Sequence, residues 1–124
     1  MLHHLSFAVA DLARAAAFYD AVLAALGYRR VWTSDTAVGY GIEDGNDRFA
    51  IKQRGAVSPP ASGFHLAFAA PSRAAVDRFH AAALAHGGRD QGAPGRRPHY
   101  GPDYYAAFVL DPDGYWIEAV INTA

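Results

Sequence analysis

Two hydrophobic rhythms follow one another along this chain, and the succession occurs twice. Leu5, Phe7 and Val9 alternate with His4, Ser6 and Ala8, the period-two pattern of a strand with one face against a core. The spacing then changes to that of a helix over residues 12–26. Leu12, Ala15, Phe18, Tyr19, Val22, Leu23 and Leu26 fall on one stripe. Asp11 stands where an N-cap accepts the first free amides, and Gly27 where a left-handed glycine ends the last turn. Strand-like runs follow at residues 28–33, 38–42 and 49–53.

The second passage starts at His65. HLSFAV from His4 reappears as HLAFAA from His65, and the two segments stay in register for about two dozen residues. Phe18 falls opposite Phe79, Leu23 opposite Leu84, and Gly27 opposite Gly88. Ser72 is the second cap, Val76, Phe79, Ala83 and Leu84 the second stripe, and Gly87-Gly88 the second stop. A weak strand run near Arg89 precedes stronger ones at 105–110 and 115–121, joined by the turn Asp111-Pro112-Asp113-Gly114. The unit is βαβββ, used twice. The pattern predicts an α+β fold in a single domain spanning 1–124, with module 1 at about 1–54, a Pro-Gly linker at 55–63 and module 2 at about 64–124.

The faces of these strands are unequal. Leu5, Phe7 and Val9 suit packing under a helix, whereas His4, Ser6, Ala8 and their repeats His65, Ala67, Ala69 are small or polar. A small-residue face with a histidine at its end suggests a cavity. On the last strand Ile117, Ala119 and Ile121 form the natural packing side, which turns Trp116, Glu118 and Val120 to the cavity side. An ionised Glu in an apolar strand needs a cationic partner.

Composition narrows the chemistry. The 124 residues are 52% hydrophobic and 19% charged with a net charge of −1, which fits one core-forming domain and gives no global basic field for nucleic acid or an anionic membrane. Cysteine is absent, so metal ligands must be histidine and carboxylate. The N-terminal residues carry no signal-peptide pattern and no segment is apolar enough to span a membrane, so the expected location is cytoplasmic. No glycine-rich phosphate loop, nucleophile elbow or HExxH pattern occurs.

The segments HLSFAVADLARAAAFYDAVL, FHLAFAAPS and YYAAFVLDPDGYWIEAV together resemble the vicinal oxygen chelate superfamily. That group contains glyoxalase I, type I extradiol dioxygenases, fosfomycin-resistance enzymes and bleomycin-resistance proteins. The resemblance covers nearly the whole chain. It implies that the two modules form a cup-shaped mixed sheet, helices on the outer face, around one divalent ion (Fe, Mn, Zn or Ni). It also implies ligands from the first and last strands of each module. Carried onto this chain, they are His4, His65 and Glu118. The fourth position falls at or beside Ile51, where glyoxalase I places a carboxylate. Two histidines and one carboxylate instead match a facial arrangement with open positions, closer to dioxygenases and fosfomycin-resistance enzymes.

Other residues have two readings each. His3 is the ligand if the strand is shifted by one residue. His80 and His86 read as solvated helix histidines. Lys52 is either a solvated edge charge or a group for an anionic substrate. The segment from Gly92 to Tyr105 reads as a rim loop. Arg96, Arg97 and Tyr100 in it could clamp a carboxylate or phosphate, and His99 or Tyr104 could do acid–base work; the alternative is a polar connection. Trp32 and Trp116, with Tyr40, are either walls for a planar ligand or core packing.

Two functions are in competition. One is a divalent-metal enzyme acting on a small substrate through vicinal oxygens, by lyase or isomerase chemistry, ring-cleaving dioxygenation or epoxide opening. The other is a metal-free, bleomycin-resistance-like binding protein. The resemblance further implies a homodimer, with the cup formed either within one chain or between two.

Overall fold

The computed structural model describes residues 1–123. Its order is β1 (Leu5–Val9), α1 (Leu12–Ala25), β2 (Arg29–Thr33), β3 (Ala37–Glu43) and β4 (Asn46–Gln53), then β5 (Leu66–Ala69), α2 (Arg73–Ala85), β6 (Arg89–Arg96), β7 (Tyr104–Leu110) and β8 (Trp116–Asn122). Both caps form: Asp11 accepts from the Arg14 amide at 3.1 Å, and Ser72 Oγ from the Ala75 amide at 3.1 Å. Gly27 and Gly87 end the helices with φ of +92° and +94°, conformations that a Cβ would strain.

Each module is a four-stranded mixed sheet, ordered β1-β4-β3-β2 and β5-β8-β7-β6. The first strand pairs parallel with the last, and the other pairs are antiparallel. Among the described residues no hydrogen-bonded ladder joins the two sheets. A shared core does so instead, with Phe18, Tyr19, Val22 and Leu23 of α1 and Val76, Phe79 and Ala83 of α2 buried in one cluster. The helices touch each other. Gly88 permits this approach, because a Cβ there would lie 2.8 Å from the Phe18 ring and 2.8 Å from the Ala83 carbonyl.

A second junction lies at the β7–β8 turn. Tyr115 stacks on Phe7 of β1 with ring centroids 4.0 Å apart, and its hydroxyl donates to the Ala8 carbonyl at 2.8 Å. Asp111 is 3% exposed and accepts from the Tyr19 hydroxyl and the amides of Asp113 and Tyr115. Asp113 accepts from the Ala10 amide and from Arg14. Burial raises the Asp111 carboxyl, against the hydrogen bonds that favour its charge.

One element differs from the sequence expectation. β6 continues through Pro94 to Arg96, so the connection ahead of β7 is confined to residues 97–103. The Gly and Pro content that suggests a loop is tolerated because β6 is an edge strand, where a missing amide leaves no inner ladder broken. Its register shifts twice, at Asp90/Gly92 and Gly92/Gly95.

Candidate metal centre

Registry across each sheet decides which side chains share a face. In module 2, Ala67 lies beside Glu118, Glu118 beside Phe108, and Phe108 beside Gly92. This row is on the face away from α2, since the neighbouring Ile117, Ala119 and Val109 belong to the core. Glu118 is nevertheless only 1% exposed. Its Oε2 accepts from the Tyr104 hydroxyl at 2.6 Å. Its Oε1 lies 3.0 Å from His65 Nε2, yet the angles are wrong for a hydrogen bond and the atom is left without one. A buried carboxylate oxygen with no donor is expensive. The His65 ring is half exposed, so this pair is accessible from outside.

Burial, and then the Glu118 carboxylate to which it donates, push the Tyr104 hydroxyl up to about 12. Tyr104 thus remains a donor through the neutral range. Around His65 lies an open cavity of about 340 Å³ bordered by Gln91, Arg97, His99, Tyr100, Phe108 and Trp116. Arg97 rests over the Phe108 ring and donates to the Ala93 carbonyl at 2.8 Å. His99 and Tyr100 stack on each other, and Tyr100 meets Tyr104 edge-on.

Module 1 places its candidates elsewhere. By register the counterpart of Glu118 is Ala50, next to Ile51, because Ser6 pairs with Ala50 as Ala67 pairs with Glu118. Ala50 pairs with Gly39, and Gly39 with Trp32. The Trp32 indole covers Gly39 so closely that a Cβ there would lie 2.2 Å from Nε1, and Nε1 donates to Asp47 at 2.9 Å. Lys52 is half-buried two residues beyond Ala50 on the same strand.

His4 is not beside His65. Its Nδ1 is 2.8 Å from His3 Nδ1, and it borders an apolar cavity between module 1 and β5 that shares no residue with the cavity at His65. Among the described residues no three His, Asp or Glu side chains converge. The structure therefore brings together His65, Glu118 and Tyr104, with Arg97, His99, Tyr100 and Trp116 near them. It does not bring His4, Trp32 or Lys52 to that place within one chain. His80, read from sequence as solvated, is mostly covered and holds Asp90 at 2.9 Å; His86 caps α2 through the Ala82 carbonyl.

Sequence reading missed Phe108 and Gln91 at the site. The alternation Tyr104, Ala106, Phe108 carries a usable signal for the first, since it sets Phe108 on the face of Glu118. Gln91 lies in the strand that the glycines and proline disguised.

What a donor pair can do depends on spacing. Two ligands about 2.1 Å from one ion and at roughly a right angle to each other are about 3 Å apart, the separation of His65 Nε2 and Glu118 Oε1. The pair fits part of a divalent-metal shell, with Tyr104 as the outer group that orients the carboxylate.

Two βαβββ modules packed through one core, with a carboxylate–histidine pair on the sheet face away from the helix in one of them, define a paired-module α+β protein. The chain belongs to the Glyoxalase/Bleomycin resistance protein/Dioxygenase superfamily, whose family model matches residues 1–119. It is similar to a glyoxalase/bleomycin resistance protein from Albidiferax ferrireducens T118, with 34% identity, 94% of each chain covered and a TM-score of 0.80. A glyoxalase/bleomycin resistance protein/dioxygenase family enzyme from Burkholderia phytofirmans PsJN shares the fold at 21% identity, 98% of each chain and a TM-score of 0.73. So does the fosfomycin resistance protein FosX from Mesorhizobium loti, at 24% identity, 99% of this chain, 92% of that one and a TM-score of 0.70. No curated protein matches the chain. No helix among the described residues is long and apolar enough to cross a membrane.

Proposed function

We propose that this protein is a divalent-metal-dependent enzyme acting on a small substrate held through two neighbouring oxygens, by lyase or isomerase chemistry or by ring-cleaving dioxygenation. The observation that carries the reading is the buried Glu118 with its undonated Oε1 3.0 Å from His65 Nε2. His65 and Glu118 are two ligands of the ion, and His4 of a second copy of the chain is the third. The separation of His4 from His65 within one chain supports this crossed arrangement, as does the half-exposed His65 ring.

When bound, the ion supplies Lewis acidity to the chelated oxygens. The protein's own groups do the rest. Tyr104 fixes the carboxylate rotamer through Oε2 and remains protonated, so it does not compete as an anion. Arg97 sets positive charge at the cavity wall, while Trp116 and Phe108 offer apolar faces to the body of the substrate. His99, exposed at the cavity rim, is the residue assigned to acid–base work in this reading.

Elemental analysis and titration with Fe(II), Mn(II), Zn(II) and Ni(II) test the proposal. One ion per chain is expected, with affinity lost in Glu118→Gln and retained in His86→Ala. Protein that binds none of the four ions would leave the bleomycin-resistance-like binding role in its place.

A further inference from the structure

The apolar cavity between module 1 and β5 shares no lining residue with the His65 cavity of the same chain, and only His4 at its rim takes part in the proposed chemistry. Its volume is about 220 Å³, larger than the ~150 Å³ cavity known to accept benzene. Leu5, Leu23, Tyr40 and Phe49 of module 1 face Leu66 and Phe68 of module 2 across it. Leu5, Leu66 and Phe68 lie on the core side of their strands and pack against the buried cluster, yet they are only half-buried. That is the position of apolar groups left next to space instead of protein. β5 contributes through its free edge, since it pairs only with β8.

The polar side of the lining is basic: Arg48, with His3 and His4 beside it. Arg48 lines the cavity, donates only to the His3 carbonyl at a long 3.4 Å, and forms no ion pair among the described residues. No carboxylate is among the residues that line the cavity. A pocket with an apolar body and one unpaired guanidinium at its entrance selects a ligand of matching polarity. We propose that this cavity is a second small-molecule site that takes a monocarboxylic acid with an aryl or short branched alkyl body, its carboxylate on Arg48 and its body between Leu5, Phe49, Leu66 and Phe68.

Phenylacetate is the probe, with toluene as its uncharged counterpart, followed by calorimetry or by ligand-detected NMR on the full chain. Saturable phenylacetate binding at millimolar concentration or below is expected. Arg48→Gln, a surface change that leaves the core intact, should weaken it about tenfold without weakening toluene. Leu66→Phe should abolish both while the melting temperature shows that the fold is kept. Glu118→Gln should leave phenylacetate binding unchanged, which separates this site from the proposed metal centre. The proposal is overturned if phenylacetate does not saturate, if Arg48→Gln has no effect, or if Glu118→Gln removes the binding.

Discussion

Two rows of four residues, one across each sheet, occupy equivalent places in the repeat and have opposite chemistry. Module 1 runs Ser6, Ala50, Gly39, Trp32; module 2 runs Ala67, Glu118, Phe108, Gly92. The aromatic and the glycine exchange strands. In module 1 the indole of the outer strand lies over a glycine, and Ala50 beside that glycine is 1% exposed. In module 2 the aromatic stands beside Glu118, and the glycine is on the edge strand, where it leaves His65 and Arg97 room at the cavity. A duplicated fold constrains the core faces of both halves alike, because both pack into one cluster. The outer faces are free to diverge, and here one became filled and the other kept a buried charge.

The largest expected effect concerns that charge. Glu118→Gln should reduce divalent-metal affinity by at least about a hundredfold, in line with loss of a direct ligand. It should leave the metal-free protein as stable or more stable, since it removes a buried carboxylate with an undonated oxygen. Ala50→Gln at the equivalent place should instead destabilise, because Ala50 is a fully buried small residue and a Gln there overpacks its surroundings. Metal titration alongside denaturant unfolding of both variants checks the contrast.

A second contrast lies in two hairpin turns. Asp111 in the β7–β8 turn is buried with three donors, while Asp44 in the β3–β4 turn is exposed and pairs only with Arg29. Asp111→Ala should cost about 3 kcal/mol by stranding the Tyr19 hydroxyl and two amides, and Asp111→Asn markedly less. Asp44→Ala should cost under about 0.5 kcal/mol. Urea unfolding measures all three; equal effects at the two turns would show that the junction does not depend on Asp111.

The packed row of module 1 makes a smaller prediction. Gly39→Ala should destabilise by about 1–2 kcal/mol, because its Cβ must displace the Trp32 indole and break the bond to Asp47. In a Trp32→Ala background the same change should be nearly neutral, a non-additivity that a double-mutant cycle reads directly.

The smallest effect depends on pH. Burial would raise the Asp20 carboxyl, but hydrogen bonds from Arg30 and Tyr40 outweigh it and hold the group below its usual value. A carboxylate depressed in the folded state adds stability above its unfolded pKa and loses it as pH falls through the folded one. Both partners are over 40% exposed, so screening limits the contribution to under about 1 kcal/mol. Arg30→Gln should therefore narrow the stability difference between neutral pH and pH 3, with little else changed.

Much of this was legible in the sequence, for local reasons. Alternation put Phe7 and Ile117 on core faces, and the caps Asp11 and Ser72 and the stops Gly27 and Gly87 follow from backbone needs within four residues. The same alternation set Glu118 off from Ile117 and Ala119. What was not legible depends on how the modules meet. The Asp111 turn reads as a plain turn until Tyr19, 92 residues away in sequence, is found donating into it. His4 and His65 are equivalent in the repeat, yet the packing of α1 on α2 gives them different cavities, a fact that no periodicity contains. The sequence shows only a weak strand near Arg89 and reads as a loop from Gly92, because glycine and proline report backbone permissiveness and cannot report an edge position.

Mixing two damaged copies tests the central claim most directly. If the metal site joins His65 and Glu118 of one copy to His4 of another, neither His4→Ala nor Glu118→Gln should bind metal tightly alone. After the two are unfolded together and refolded, mixed dimers should regain one intact site each, restoring about a quarter of the wild-type metal capacity. Recovery of no capacity, in a mixture whose wild-type parent binds one ion per chain, would place all three ligands within one chain and contradict the account.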